Sequence, residues 1–142
     1  MAVNFFVEDI SFKFQDKNKY KKWLRSLASH DGFNITDLNY IFCSDEYLYQ
    51  MNVDYLDHDT YTDIITFDNS EEEKDIEGDI FISIPRVKEN AHSQDIEFSI
   101  ELKRVLAHGI LHLMGYRDKS SEEINAMRKM EDFGISIFPN EN

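Results

Sequence analysis

The amino-acid sequence predicts an α+β fold: a single domain over residues 1–142, with one mixed four-stranded sheet and about five helices packed on it. Three observations predict this class. A chain of 142 residues has the length of one domain. Hydrophobic residues make up 42% of it, which is enough for a single core. Apolar strand-like segments also alternate with segments of helical periodicity, as in mixed domains built on one sheet.

The first part of the chain contains two predicted strands and two predicted helices. Residues 3–6 are short and apolar and indicate a strand, whereas residues 17–29 have helical periodicity. The apolar stripe of that helix consists of Tyr20, Trp23, Leu24 and Leu27. Residues 38–43 (LNYIFC) are β-branched and aromatic and indicate a second strand, and Ser44 is placed to cap the helix after it.

The middle of the chain predicts a hairpin followed by two helices. Residues 64–67 (IITF) and 78–83 (GDIFIS) indicate the third and fourth strands, which pair across an acidic loop at residues 69–77. Pro85 suits the first turn of a short helix that reaches about residue 91. A longer helix follows over about residues 96–114.

A last helix is predicted near the C-terminal end. Ser120 or Ser121, with Glu123 close behind, has the pattern of a capping box. The helix is expected to reach about residue 133 and to stop at Gly134.

Charge and cysteine content narrow the functional classes. The formal net charge of −13 argues against a general nucleic-acid binder, because contacts to phosphate need Lys and Arg. Cys43 is the only cysteine, so no internal disulfide can form, and a cytoplasmic location is expected. No apolar stretch approaches the roughly 20 residues of a membrane span, and the first residues lack the features of a secretory signal.

One segment departs from this acidic balance. Six of the 15 basic residues fall within residues 13–25, where Asp16 is the only acid. A solvated helix face is the ordinary explanation of such a cluster, and an RNA-facing patch is the alternative. Together with one cation further along the chain, the candidates for RNA contact are Lys17, Lys21, Lys22, Arg25 and Arg86.

A metal-binding pattern lies near the end of the long helix. His108 and His112 are four residues apart, so their side chains lie on one face of a helix. They flank the apolar stripe, at the edge where a helix meets a cleft. Catalytic zinc usually takes three protein ligands and keeps one position open, and such a pair supplies two of the three.

The third ligand is expected to be Asp118. Gly115 can end the helix with a positive φ, and Asp118 follows three residues later, where it can swing beneath the histidines. The opposing interpretation is that both histidines are simply buried or solvent-facing, since an isolated HxxxH often arises by chance. Because a His₂-carboxylate set also suits iron, Fe²⁺ or another divalent metal is the alternative to Zn²⁺.

Two neighbouring positions refine the expected chemistry. Zincin proteases carry HExxH, whose Glu acts as general base, but Gly109 stands at that position here. A metallopeptidase-like hydrolase is therefore the weaker alternative. Glu101 lies two helical turns before His108 on the same face, where it either orients a metal ligand by hydrogen bonding or is an ordinary surface residue.

These motifs resemble the YbeY family of endoribonucleases, the rRNA maturation factors of bacteria. HGILHLMGY, residues 108–116, matches the family pattern H-G-x-L-H-L-x-G-[YH] at every specified position. Further segments similar to family motifs are Asn52 with Tyr55, TDIITF at residues 62–67 and GDIFIS at residues 78–83. Order and spacing agree over about residues 38–120.

The resemblance implies an α+β fold, one zinc ion per chain held by three histidines, and cleavage of single-stranded RNA. It also implies a role in 16S rRNA 3′-end processing and ribosome quality control, with the ribosomal subunit or assembly factors as partners. By position, His108 and His112 take the first two ligand roles. Asp118 stands where the family has its third histidine, so the third ligand here would be a carboxylate.

The remaining catalytic roles are open. Leu56 stands where the family has an arginine, so a contact to phosphate has to come from another residue. The candidates for that contact are His58, Arg86 and Arg117. The candidates for the general base are Asp63 and Asp79. A non-catalytic, zinc-containing assembly factor is a further alternative, and its closed site would need a fourth ligand from Cys43 or His92.

Overall fold

The structure is a computed structural model that describes residues 2–57 and 60–139. Within these ranges, four strands and five helices follow one another in the order βαβαββααα. Their bounds are β1 Ala2–Val7, α1 Lys17–His30, β2 Asn34–Cys43, α2 Asp45–Leu56, β3 Ile64–Asp68, β4 Asp75–Ser83, α3 Ile84–Ser93, α4 Phe98–Leu113 and α5 Ser121–Ser136.

The four strands form one mixed sheet in the order β1-β2-β4-β3. The pairs β1–β2 and β2–β4 are parallel, whereas β3 and β4 are antiparallel and form the predicted hairpin. A parallel pair requires a crossover, and α1 and α2 lie within the two crossovers. The α+β class, the mixed four-stranded sheet and the five helices are confirmed.

The main core lies on the sheet face that α1 and α4 cover. Side chains alternate along a strand, so every second residue of β2 and β4 faces these helices. Those residues are buried and include Leu38, Tyr40, Phe42, Ile80 and Ile82. The predicted stripe of α1 meets them, since its four apolar side chains are buried in the same cluster. Trp23 also donates from Nε1 to the carbonyl oxygen of Gly134 at 2.7 Å.

A smaller apolar cluster occupies the opposite face under α2. Cys43, Leu48 and Ile65 are its buried members, and Phe67 and Phe81 pack against them. Ser44 begins α2 as predicted, because its Oγ accepts from the backbone N–H of Tyr47 at 3.0 Å. The two faces are therefore covered by different helices, and the long helix α4 belongs to the main core.

Two strands are longer than predicted at their N-terminal ends. β2 begins at Asn34 rather than at residue 38, and β4 begins at Asp75 rather than at Gly78. The two extensions pair with each other and bury Ile35 and Ile76. The sequence did not indicate this apolar pair, because its neighbours in NITD and DIEG are polar. Since β4 begins at Asp75, the acidic loop is shorter than residues 69–77.

The C-terminal helix begins as predicted but does not stop at Gly134. Ser120 accepts from the Glu123 backbone N–H, and the Glu123 carboxylate accepts from the backbone N–H of Ser120, which completes the capping box. The helix continues through Gly134 to Ser136. Packing against Leu27 and Ala107 holds the backbone there in helical form, so this glycine is a contact position and not a stop signal.

Pro85 lies in the first turn of α3, as predicted. In the part of the chain that the structure describes, no helix has both the length and the apolar character needed to cross a membrane.

Candidate metal centre

Gly109 lets helix α4 lie close to the sheet. A Cβ atom at this position would lie 3.0 Å from two side-chain atoms of Ile80 and 3.1 Å from Ile64. The hydrogen of glycine therefore lets the helix backbone rest on β3 and β4. His108 and His112 stand on either side of this contact, at the edge of the sheet formed by β3.

The turn after α4 brings Asp118 back to the first histidine. Gly115 adopts φ +104°, the positive value predicted from its position. Asp118 Oδ2 then lies 3.5 Å from His108 Nε2. Two donors that share a tetrahedral zinc at about 2.0–2.1 Å are roughly 3.3–3.4 Å apart, so this separation suits a shared ion.

His108 is held from its other ring nitrogen by Glu131 of α5. The Nδ1 atom lies 2.7 Å from Glu131 Oε2, and Arg104 Nη1 donates to Glu131 Oε1 at 3.2 Å. Burial alone would lower the pKa of His108, but the hydrogen bond to Glu131 and the charges of Glu131, Asp118 and Asp63 raise it above its ordinary value. A carboxylate that accepts from Nδ1 leaves Nε2 available to a metal. Metal-bound histidines generally have such a hydrogen-bond acceptor on the other ring nitrogen.

His112 is exposed and lies one helical turn further along α4. It lines the same cavity as His108 and Asp118, and also a smaller neighbouring cavity of about 350 Å³. In residues 2–57 and 60–139, however, no group of three or more His, Cys, Asp or Glu side chains is arranged to hold a metal ion. The structure thus brings His108 and Asp118 together, and His112 stands beside them.

The cavity at this site has a volume of about 530 Å³ and carries an excess of negative charge. Its acidic lining residues are Asp63, Glu101, Asp118 and Glu131. Its arginines are Arg104 and Arg128. With all of these ionised, four carboxylates face two guanidinium groups, which leaves two negative charges for a divalent cation to balance. His108 and Asp118 therefore fit such an ion in donor type and in their mutual spacing, and the cavity fits it in charge.

Two acids deeper in the cavity have perturbed ionisation. Burial raises the pKa of Asp63 above its ordinary value, although its own backbone N–H and the nearby His108 partly oppose this. Burial also raises the pKa of Glu101, and the negative charge of Asp63 raises it further. Glu101 does not contact His108 in the way predicted, since Glu131 makes the hydrogen bond to its ring.

The general-base candidates are separated by the sheet. Asp63 lines the cavity, just before β3. Asp79 lies on β4 on the face opposite α4, where it accepts a hydrogen bond from Asn39 at 3.0 Å. Of the two candidates, the structure brings only Asp63 to the histidines.

The predicted basic residues lie outside the cavity. Arg86 Nη2 donates to Asp45 at 2.6 Å, and its guanidinium lies over the ring of Tyr61. Arg117 is exposed on the turn after α4. The candidates on α1, which do not line either described cavity, are Lys17, Lys21, Lys22 and Arg25. His58 lies outside the described residues.

Neither candidate for a fourth metal ligand lies in this cavity. Cys43 is fully buried in the cluster under α2, on the far face of the sheet. Burial raises the pKa of its thiol to about 12, with smaller contributions from Asp9, Asp45 and Glu8. His92 is exposed at the end of α3.

Three residues of the site were missed in the sequence: Glu131, Arg104 and Arg128. A signal for the first was present, because Glu131 lies at a buried position of α5 between Met127 and Gly134. An acid on the apolar face of an amphipathic helix needs a partner. The sequence could not identify the partner of Glu131, because His108 lies 23 residues away from it.

Comparisons with known proteins identify the family. The family profile described as Endoribonuclease YbeY matches residues 3–137. A protein named Endoribonuclease YbeY from Cytophaga hutchinsonii is 56% identical over 136 residues, which cover 96% of this chain and 95% of that protein. A second protein of that name, from Christiangramia forsetii, is 46% identical over 136 residues, covering 96% and 94%.

A solved structure agrees as well. The solution structure of TM1509 from Thermotoga maritima superimposes with a TM-score of 0.64 at 25% sequence identity, covering 94% of this chain and 89% of that one. The resemblance drawn from the motifs is confirmed, and this chain belongs to the YbeY family.

Proposed function

We propose that this protein is a zinc-dependent endoribonuclease that cleaves single-stranded RNA in rRNA maturation. One observation carries the metal site: His108 Nε2 lies 3.5 Å from Asp118 while Glu131 engages Nδ1 at 2.7 Å. The RNA substrate is taken from the relatives named Endoribonuclease YbeY. Processing of the 16S rRNA 3′ end, ribosome quality control and ribosomal partners are parts of the same proposal.

His108, His112 and Asp118 would hold the metal. Zn²⁺ is preferred over Fe²⁺ because nitrogen and carboxylate donors with an open position are typical of catalytic zinc. When bound, such an ion polarises a phosphodiester and activates water for attack. The excess negative charge of the cavity supports a divalent cation there, since without one the site would repel an RNA phosphate.

The other charged residues of the cavity have roles of their own. Asp63 is placed to accept a proton from the attacking water, and the burial that raises its pKa makes its carboxylate a stronger base. Arg128 is 58% exposed at the cavity and is placed to contact a phosphate, the role that Leu56 cannot fill. Arg104 forms ion pairs with Glu131 and Asp132, and so it stabilises the Glu131 carboxylate that contacts His108.

The net charge of −13 requires help in bringing RNA to the site. The metal and Arg128 provide positive charge locally, but the protein as a whole repels a polyanion. A ribosomal subunit or assembly factor would position the RNA. We therefore expect weak cleavage of free RNA by the isolated protein, with a steep dependence on salt.

The test compares the wild type with His112→Ala and Asp118→Ala. Metal content and cleavage of a single-stranded oligoribonucleotide are measured on the same preparations, with Asp79→Ala as a control on the far face of the sheet. Both site variants are expected to lose metal and cleavage together, and the control is expected to keep both. Full metal content in Asp118→Ala would remove this residue from the ligands. Full cleavage by metal-free His112→Ala would end the metallonuclease proposal.

A further inference from the structure

The carboxyl group of Glu101 has one unpaired acceptor atom, Oε1, at the wall of the cavity. Its side chain is only 5% exposed, and among the described residues its Oε1 atom has no hydrogen-bond partner. A buried acceptor without a donor destabilises the folded protein, and does so more when it is charged. Such a group in a ligand-sized cavity points to a donor that arrives with a ligand.

The other charged groups of the cavity do not fill this place. Arg104 is engaged by Glu131 and Asp132 at 3.2 and 2.9 Å, and Arg128 lies 3.7 Å from Glu131. Asp63 lies close enough to Glu101 for its negative charge to be felt there. The positive charges of Arg104 and Arg128 also act on Glu101, but no described residue donates a hydrogen bond to its Oε1 atom, so its surroundings favour a group that offers N–H or O–H hydrogens.

Part of the cavity wall is apolar and suits the flat face of a base. Ile64, Val105, Ile124 and Met127 line the same cavity. Ile124 is 47% exposed although it is a large aliphatic residue. Apolar side chains that face a cavity, with one polar group at its end, are how proteins hold an unstacked base and read its edge.

We propose that Glu101 is the floor of a nucleobase subsite that selects guanine in the RNA substrate. Guanine presents the N1–H and N2–H donors side by side, and a carboxylate accepts both with its two oxygens. Adenine and cytosine offer one amino group. Uracil presents a single N–H between two carbonyl oxygens, which the carboxylates of Glu101 and Asp63 repel.

The position along α4 fits one nucleotide. Glu101 precedes the metal-ligand candidate His108 by seven residues, which is about 10.5 Å of helix. This is on the order of the length of a nucleotide from its phosphate to the far edge of its base. The subsite therefore reads a base next to the phosphate held at the metal centre, and in this respect it rests on the proposed function.

The experiment measures base preference in two ways. Binding of zinc-loaded protein to four fluorescent hexaribonucleotides with non-hydrolysable linkages is followed by anisotropy; the hexamers are uridine-based and differ only in one central G, A, C or U. Cleavage of the same four sequences with natural linkages by zinc-loaded protein is measured separately. We expect the G hexamer to bind about tenfold or more tightly than the U hexamer, as suits hydrogen bonds to a charged acceptor.

Glu101→Gln tests the residue itself, and Glu97→Gln is the matched control. Glu97 is the N-cap residue of α4, four residues before Glu101, and is exposed, so the control makes the same charge change outside the cavity. Glu101→Gln is expected to reduce the G-to-U preference to within about twofold, because an amide offers only one acceptor and adds a donor. Glu97→Gln is expected to keep the wild-type preference.

The outcomes separate this proposal from the nuclease proposal. Selective binding of G without any cleavage would keep the subsite and overturn the nuclease. Cleavage with no base preference would keep the nuclease proposal and overturn the subsite. Equal affinities for all four hexamers, including no measurable binding of any, would overturn the subsite. So would a wild-type preference that survives in Glu101→Gln, or a Glu101→Gln protein that changes only in thermal stability.

Discussion

His108 is the residue whose surroundings decide what the site can do. One ring nitrogen is held by Glu131 at 2.7 Å, and the other faces Asp118 at 3.5 Å. Arg104 in turn binds Glu131 and fixes its carboxylate. Rotation of the imidazole would therefore break the contacts of His108 to Glu131 and Asp118. A ring fixed in this way loses little freedom when it takes up a metal, which strengthens metal binding.

Glu131→Gln is expected to lower zinc affinity about 10- to 100-fold, the usual effect of removing the carboxylate behind a metal-bound histidine. The measurement is a competition titration with a chromophoric chelator at fixed pH. Glu122→Gln, exposed on the first turn of the same helix, is the control and should bind zinc like the wild type. Equal affinities of Glu131→Gln and wild type would show that this contact does not support a metal ligand.

The helix pattern predicted His108, His112 and Asp118, but it could not predict Glu131 or Arg128. The first three lie within 11 residues and are related by helix periodicity and one glycine turn, both of which are local properties. Glu131 and Arg128 reach the cavity only because α5 packs against α4. Such a contact depends on the order of helices on the sheet, which residue spacing does not encode.

The elements themselves were predicted where the pattern of burial is simple. Residues 38–43 and 78–83 alternate between the two faces of the sheet and were recognised as strands. Their extensions at Asn34 and Asp75 were missed, because each carries one buried isoleucine among polar residues. Gly134 was misread for a related reason, since tertiary packing overrode a local helix-stop signal.

Gly134→Ala is expected to raise the free energy of unfolding by about 0.5–1 kcal/mol. The new Cβ would lie 3.4 Å or more from Leu27 and Ala107, which is ordinary contact, and alanine favours the helix. Urea denaturation checks this value. Gly32→Ala is the opposite case, because φ is +77° there and a Cβ is strained, so it should lose about 1 kcal/mol. A destabilised Gly134→Ala would show that the new methyl group does not fit between Leu27 and Ala107.

The turn that carries Asp118 is fastened to the end of α1. Tyr116 donates from its hydroxyl to Asp31 Oδ2 at 2.6 Å. Burial would raise the pKa of Asp31, but hydrogen bonds from Tyr116 and His30 and the nearby positive charges of His30 and Lys74 hold it below its ordinary value. Burial and the bond to Asp31 raise the pKa of Tyr116 to about 12, so the hydroxyl remains a donor at neutral pH.

Tyr116→Phe is expected to lower the free energy of unfolding by about 1 kcal/mol at pH 7. Because the folded-state pKa of Asp31 is depressed, its contribution is present above the unfolded value near 3.9 and is lost as the pH falls through the folded value. The difference between wild type and variant should therefore be constant from pH 7 to about pH 5 and shrink below about pH 3.9. Urea denaturation in steps of pH measures it, and a gap that widened in acid would contradict the assignment.

At the scale of the whole molecule, negative charge is in excess, and part of that excess lines the cavity. The chain carries a net −13, and the cavity alone holds four carboxylates against two guanidinium groups. Their mutual repulsion opposes folding of the metal-free protein. A divalent ion bound only by the folded state relieves this repulsion and adds its binding free energy to stability.

Zinc is expected to raise the melting temperature, and removal with a chelator to lower it again. At a free zinc concentration of 100 times Kd, the gain is about 2.7 kcal/mol, or several degrees for a domain of this size. Differential scanning fluorimetry with and without zinc gives the shift. His112→Ala should show a much smaller one. A wild-type melting temperature that did not respond to zinc would argue against a bound metal.

The close contact between α4 and the sheet at Gly109 also limits how this protein can evolve. A single base change converts a glycine codon into a glutamate codon, and it would complete the HExxH motif of a metallopeptidase in this chain. The resulting carboxylate would, however, be driven into Ile80 and Ile64, where even a Cβ is 3.0–3.1 Å from its neighbours. In the folded protein, a glutamate at this position would first require α4 to lift away from the sheet.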